Sequence, residues 1–120
     1  MGAKDNNEFK KRLYKFTLRL VEFLDRLPDD NVSRRVGDQL LRSGTSVIAN
    51  FVEGQAASSK KEYTQFFHYS LKSANESKLW LALLRDTNRA KSEDVKPLLA
   101  ELEEIANILA SSILTLKGKR

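Results

Sequence analysis

The sequence predicts an all-α protein, an up-down-up-down antiparallel four-helix bundle. Three observations support this prediction. Apolar residues recur at steps of three and four, which is the helical period. Glycine and proline are scarce, at five and two in 120 residues, so the composition favours helix. Short polar links divide the periodic segments, and no strand-like alternation competes with them. The whole chain, residues 1–120, is therefore expected to form a single domain.

The first helix is predicted at about residues 7–27. Its apolar stripe consists of Phe9, Leu13, Phe16, Leu20, Leu24 and Leu27. Asn6 or Asn7 is expected to cap its start, and Pro28 to end it. Further apolar residues widen the stripe to the sides: Tyr14, Leu18, Val21 and Phe23. A stripe this wide indicates either deep burial or contact of one flank with another subunit.

The opposite face of this helix is rich in charge. Glu8 with Arg12, and Glu22 with Arg26, have the spacing of i,i+4 ion pairs. Four cations are left without such a partner, namely Lys4, Lys11, Lys15 and Arg19. Either this face is simply solvated, or these cations are candidates for contact with nucleic acid.

The second helix is predicted at about residues 32–53, with Asn31 as its N-cap and Gly54 as the left-handed residue that ends it. Gly44 falls on the apolar face. Because glycine costs about 1 kcal/mol in a helix interior, we expect another backbone or a large ring to pack against Gly44. A polar stripe lies beside the apolar face: Gln39, Arg42, Ser43, Ser46, Asn50 and Glu53.

The third helix is predicted at about residues 60–88, with Ser59 and Glu62 as a capping box. Lys60 and Lys61 lie in its first turn, where the helix dipole disfavours cations. Two solvated lysines would explain this placement, and a contact with phosphate would explain it too. A strip of small residues allows close approach of a neighbouring helix: Ser70, Ser73, Ala74 and Ser77.

Antiparallel packing of the second and third helices predicts a polar network between them. Half-buried polar groups need hydrogen-bond partners, and Asn75 and Glu76 are the expected partners of Asn50 and Glu53. The network would fix the register of the bundle or of a subunit interface. Its predicted members are Gln39, Arg42, Ser46, Asn50, Glu53, Ser73 and Glu76.

The fourth helix is predicted at about residues 93–117, with Ser92 as a possible cap. Pro97 moves its expected start toward Asp94, because proline is best tolerated in the first turn. Its apolar residues follow a near-heptad spacing. The basic tail, residues 117–120, is expected to fray.

The sequence offers little for catalysis. It contains one histidine, His68, and no cysteine. It has neither an E-x-x-H pair nor a glycine-rich phosphate loop. We therefore predict no enzymatic activity, no metal site and no cofactor; an enzyme would need a pocket around His68 with convergent polar groups. No apolar run approaches the roughly 20 residues that span a bilayer, and no signal segment is evident, so a cytoplasmic location without membrane contact is expected.

The central segment resembles the four-helix-bundle proteins encoded in intervening sequences of bacterial 23S rRNA genes, once labelled S23 ribosomal proteins. That family has an approximate pattern QLRRA-x-x-SI-x-x-NI-x-EG, then a serine with E-[FY]-x-x-F, then G/A-S-x-x-E. Leu41 departs from it, since arginine is frequent there. The matching residues, with conservative changes at Val47 and Phe51, are Gln39, Leu40, Arg42, Ser46, Val47, Asn50, Phe51, Glu53, Gly54, Ser59, Glu62, Tyr63, Phe66, Ser73 and Glu76.

The resemblance covers about residues 9–116 and carries expectations for function. It implies a homopentamer with a central pore or barrel, with possible contact to RNA or DNA. A related branch contains accessory proteins of diversity-generating retroelements, which bind a reverse transcriptase. The net charge of +5 permits contact with nucleic acid.

Two hypotheses follow. The first is a self-assembling bundle that contacts structured RNA or DNA through Lys4, Lys11, Lys15, Arg19, Lys60 and Lys61. The alternative is a protein-interaction scaffold or accessory subunit for a nucleic-acid enzyme such as a reverse transcriptase.

Overall fold

The computed structural model describes residues 2–118, which form four helices joined by short links and contain no strand. The prediction of an all-helical chain with four helices is confirmed. Lys119 and Arg120, part of the predicted basic tail, lie outside the described residues. The helices are α1 (Ala3–Asp25), α2 (Asn31–Gln55), α3 (Lys60–Asp86) and α4 (Ser92–Leu116).

Consecutive helices are antiparallel. Phe9 of α1 meets Phe51 of α2, with ring centroids 5.2 Å apart, and Leu24 near the end of α1 packs on Gly37 near the start of α2. Ser43 of α2 bonds to Ser77 of α3. The bundle measures 45 × 23 × 21 Å, and its apolar core runs along its full length.

Helix starts differ from the predictions because neighbouring residues compete for the capping position. Gly2, not Asn6 or Asn7, is the N-cap of α1. Asn6 lies inside α1 and donates to Gln55 (3.0 Å). Asp30, not Asn31, caps α2, and its carboxylate accepts from the Ser33 backbone N–H at 2.9 Å. A carboxylate satisfies free N–H groups and also suits the positive end of the helix dipole.

The third and fourth helices start in different ways. Ser59 caps α3 and accepts from the Glu62 N–H (3.1 Å), as predicted. The Glu62 carboxylate accepts from the Ser58 hydroxyl (2.9 Å). The capping contacts of α3 therefore include Ser58, the residue before the N-cap. In α4, Ser92 is already helical and Lys91 is the N-cap. The cap at Ser92 and the start near Asp94 were therefore wrong, and Pro97 lies inside the helix.

Two glycines of α2 allow helices to approach closely. The prediction that Gly54 ends α2 in a left-handed conformation was wrong, because α2 continues to Gln55 and Gly118 is the glycine with positive φ among the described residues. A Cβ on Gly54 would lie 3.0 Å from Phe66 Cβ. At Gly44 the neighbour is the side chain of Leu20, an aliphatic group of α1 and not the backbone or ring that we expected.

The wide apolar stripe of α1 divides into a buried and an exposed part. Phe23, expected at the side, is 3% exposed and belongs to the core. Tyr14, Leu18 and Val21 remain exposed. One flank of α1 is therefore apolar and faces away from the core.

Candidate nucleic-acid and subunit interfaces

The predicted polar network joins only some of its members. Arg42 of α2 donates to Gln39 Oε1 (3.0 Å) and forms an ion pair with Glu76 of α3. The same Glu76 carboxylate accepts from Trp80 Nε1–H at 2.9 Å. This cluster connects α2 to α3 at the edge of the seam, where Arg42 is exposed and Glu76 half-buried.

The remaining members are satisfied within their own helices or face solvent. Ser46 donates to the Arg42 carbonyl (2.7 Å), and the Asn50 amide donates to the Ser46 carbonyl (2.9 Å). Glu53 is exposed and has no ion pair within residues 2–118. The expected pairing of Asn50 and Glu53 with Asn75 and Glu76 is wrong, because the register places Glu76 opposite Arg42.

Buried serines supply the polar contacts inside the α2–α3 seam. Ser43 and Ser77 are hydrogen-bonded at 2.8 Å, and the Ser77 hydroxyl also donates to the Ser73 carbonyl (2.8 Å). Ser70 donates across the seam to the Val47 carbonyl at 2.7 Å. The small-residue strip on α3 was the sequence signal for this seam. It indicated close approach, although the bonding partners depend on helix rotation.

The cations of α1 are mixed with acids. Lys11 pairs with Glu8 at 3.8 Å, so it is not unpaired as predicted. Arg12 does not form the predicted ion pair with Glu8. It donates to Glu101 of α4 (2.7 and 2.8 Å) and pairs with Glu104. These bonds raise the pKa of Arg12 and lower that of Glu101.

An open groove of about 590 Å³ runs along the α1–α4 seam. Lys11, Lys15 and Arg19 line it, together with carboxylates such as Glu8 and Glu101. Lys4 is exposed near the start of α1. Three of the four predicted α1 cations thus share one groove, but acids partly offset their charge.

A second groove, of about 460 Å³, lies between the start of α3 and the end of α4. Among the described residues its lining includes three lysines and a histidine but no carboxylate. The lining consists of Lys60, Lys61, Thr64, Gln65, His68, Leu116 and Lys117. Lys60 and Lys61 were predicted candidates. Lys117 was not, because only the packing of α4 on α3 brings it to this groove. His68 was considered only as the centre of an enzyme pocket and not as a contact for nucleic acid.

His68 is half-buried in this groove. Burial lowers its pKa, and the positive charges of Lys117 and Lys72 lower it further. The imidazole is therefore neutral near pH 7, and its surroundings carry positive potential. Within residues 2–118, no cluster of three or more His, Asp or Glu side chains is arranged to hold a metal ion.

An exposed apolar band crosses the α1–α2 face. We define it by Tyr14, Leu18 and Val21 of α1 and Leu41 of α2, which are 58%, 48%, 40% and 43% exposed. Ile48 lines a groove with Tyr14 on the same face. Large exposed apolar groups that cluster in this way mark interaction surfaces. In the described part of the chain, no helix contains an apolar stretch sufficient to cross a membrane.

These features define an all-α bundle protein with a basic groove on α3 and α4 and an exposed apolar band on α1 and α2. The family model described as 23S rRNA-intervening sequence protein matches residues 5–111, and the chain belongs to that family. The predicted resemblance is confirmed at this level.

A similar solved structure is a protein of unknown function from the S23 ribosomal protein family of Bacteroides thetaiotaomicron. It is 31% identical, with a TM-score of 0.84, over 90% of this chain and 96% of that chain. Among curated proteins, none matches.

Proposed function

We propose that this protein is a non-enzymatic helical bundle that assembles as a homopentamer and contacts structured RNA or DNA through its basic surface. The observation that carries the proposal is the α3–α4 groove, which Lys60, Lys61 and Lys117 line together and to which residues 2–118 contribute no carboxylate. Lysines grouped in this way attract a phosphate backbone without reading its bases.

Self-assembly is supported by the apolar band on α1 and α2. Exposure of its apolar side chains to water is unfavourable, and burying them against a second copy of the chain removes apolar area from solvent. Assembly also multiplies the net charge of +5 per chain and presents one basic groove per subunit. Several weak phosphate contacts then act together, because each later contact is intramolecular.

The α1 cations are a second, weaker contact surface in this proposal. Lys15 and Arg19 lie in the α1–α4 groove together with Lys11. The charge of Lys11 is partly offset by its ion pair with Glu8. Lys4 lies near the same end of the bundle as Lys60 and Lys61. The start of α1 contacts the end of α2 through Asn6 and Gln55, and the end of α2 leads directly into α3. Reversal of the α1 cations should weaken binding less than reversal of Lys60 and Lys61.

The contact surface is tested with Lys60→Glu/Lys61→Glu. Binding of a 16-base-pair RNA duplex at low salt should fall by about tenfold or more, since two attractions become repulsions in every chain. The matched control is Lys91→Glu/Lys96→Glu, two exposed lysines at the opposite end of the bundle. Equal retention of RNA by the wild type and the α3 variant would contradict the proposed surface.

The assembly is tested by light scattering coupled to chromatography. The wild type should have five times the chain mass of 13.7 kDa, and Leu18→Glu should reduce that mass by placing a charge in the apolar band. Leu114→Glu, at a similarly exposed position on α4, should leave the mass unchanged. A monomeric wild type would refute the proposed self-assembly.

A second candidate function is favoured by exposed leucines on the outer face of α3. Leu79 and Leu83 are 58% and 38% exposed and lie apart from the α1–α2 band. They suit a protein partner, and we propose as the alternative a scaffold or accessory subunit for a nucleic-acid enzyme such as a reverse transcriptase. Capture of such an enzyme should survive nuclease treatment and be lost in Leu79→Glu.

A further inference from the structure

The α3–α4 groove combines fixed positive charge with one group that can change its charge. Lys60 and Lys61 enter from the first turn of α3, and Lys117 from the end of α4. His68 lines the same groove, two turns into α3. Thr64 and Gln65 add uncharged hydrogen-bonding groups to the lining.

The charged groups that act on His68 are both cations, one on its own helix, α3, and one at the end of α4. Lys72 lies one turn further along α3, and Lys117 lies on α4. The carboxylate of Glu62, in the first turn of α3, is engaged by the Ser58 hydroxyl at 2.9 Å. In the absence of an anion, the imidazole therefore has no negative neighbour among the described residues of the groove lining to stabilise an added proton.

A bound phosphate backbone would reverse this balance. Each phosphodiester carries a full negative charge, and a chain of them in the groove would neutralise the lysines and lie beside the imidazole. An opposite charge within a few ångströms favours the protonated ring. The doubly protonated imidazole also donates from both nitrogens, so it can donate to a phosphate oxygen.

We infer that the α3–α4 groove is a phosphate-backbone site in which His68 takes up a proton when RNA or DNA binds, so that binding tightens as the pH falls. This inference rests on the proposed function, and it adds a residue and a pH dependence that the function does not require. The lysines supply affinity at every pH, and His68 supplies the part that varies.

The sign of the effect follows from linkage. In the free protein the pKa of His68 is below its ordinary value of 6.5, and bound phosphate raises it. Affinity should therefore increase as the pH falls from above the bound pKa to below the free pKa. A rise of one unit in the pKa of His68 on binding corresponds to about tenfold tighter binding at low pH than at high pH.

The chain contains a single histidine, so its ring protons give an isolated NMR signal. We would titrate this signal from pH 5.5 to 8 with and without the 16-base-pair RNA duplex, whose phosphodiesters and paired bases keep their charge over that range. The duplex should raise the pKa of His68 by about one unit. Binding by anisotropy should tighten by about tenfold over the same range.

Variants separate the imidazole from the lysines. His68→Gln should bind at every pH like the wild type at pH 8, and His68→Lys should bind tightly throughout. Lys96→Gln, at the other end of the bundle, should keep the wild-type pH dependence. Because the NMR titration uses the unaltered chain, it remains decisive if a variant folds poorly.

The outcomes distinguish the two proposals. Duplex binding with an unchanged pKa of His68, or with the same pH dependence in His68→Gln, would overturn this inference and leave the proposed function standing. Absence of duplex binding at low salt across the whole pH range would overturn both.

Discussion

Asp30 holds two parts of the bundle together. Its carboxylate caps α2 through Ser33 and accepts from Arg89 Nε, in the link between α3 and α4, at 3.1 Å. The hydrogen bonds from Ser33, and then the pairing with Arg89, lower the pKa of Asp30 to about 2. Asn31 is an equally good cap by residue type, but the negative charge of Asp30 also suits the helix dipole and the contact with Arg89.

Replacing Asp30 by alanine should lower the melting temperature at pH 7 by a few degrees, because α2 loses its cap. The folded pKa lies below the unfolded one, so this contribution is complete above about pH 4 and is lost as the pH falls toward 2. Thermal unfolding between pH 7 and pH 2 measures it. A gap between the two proteins that is the same at pH 2 and pH 7 would contradict the assigned role of the charge.

Alanine is expected to have opposite effects on stability at Gly44 and at Gly37. A Cβ on Gly44 would overlap the fully buried Leu20 side chain, whereas on Gly37 it would lie 3.2 Å from Leu27, which is only partly buried and can shift. Overpacking costs 1–3 kcal/mol, and alanine gains about 1 kcal/mol of helix propensity. Gly44→Ala should therefore destabilise by about 1 kcal/mol, and Gly37→Ala should be neutral or stabilising.

Chemical denaturation of the two glycine variants tests this difference. In a Leu20→Ala background the overlap is removed, so Gly44→Ala should become neutral or stabilising there. A penalty that persists without the leucine side chain would show that something else limits the space at Gly44.

At the scale of the helices, α1 is attached to α4 by a polar contact. Arg12 binds Glu101 and Glu104 across a seam that is otherwise an open groove. In contrast, α2 and α3 share the buried serine contacts of Ser43, Ser70 and Ser77. The α1–α4 seam is therefore the part of the bundle that depends most on ion pairs.

Replacing Arg12 by methionine keeps its apolar stem and removes its ion pairs. We expect a loss of about 1 kcal/mol, as the pair is only partly buried, and faster hydrogen exchange of α1 amides. The pKa of Glu101 is lowered in the folded state, so its share of this stability is present at neutral pH and is lost as the pH falls below about 4.

The matched control for Arg12 is Lys78→Met, which removes an ion pair with Glu103 between α3 and α4 (3.0 Å). It should leave α1 exchange unchanged. If both variants, or neither, accelerate exchange in α1, the seam is not held by Arg12.

The sequence predicted the four helices because the apolar period and the breaks between segments are local signals. Helix rotation and register are not local. Phe23 was placed at the side of α1, and Glu76 was paired with Glu53 and Asn50 when it pairs with Arg42. Likewise, the lysine pair at the start of α3 is visible in the sequence, but Lys117 joins it only through the packing of α4 on α3.

At the scale of the whole molecule, the basic groove and the apolar band lie on different faces. The groove is formed by α3 and α4, and the band by α1 and α2. A second chain that covers the band on α1 and α2 therefore does not have to cover the groove of that same chain. This separation is compatible with the proposed combination of self-assembly and nucleic-acid contact in one small chain.

The salt dependence of RNA binding tests this account most directly. For the 16-base-pair duplex, the logarithm of the binding constant should fall linearly with the logarithm of salt concentration, by about 0.9 per phosphate contact. Lys60→Gln/Lys61→Gln removes two contacts per engaged subunit, so the slope should become shallower by about two for each subunit that touches the duplex. A slope unchanged from that of the wild type would contradict the claim that this groove holds the phosphate backbone.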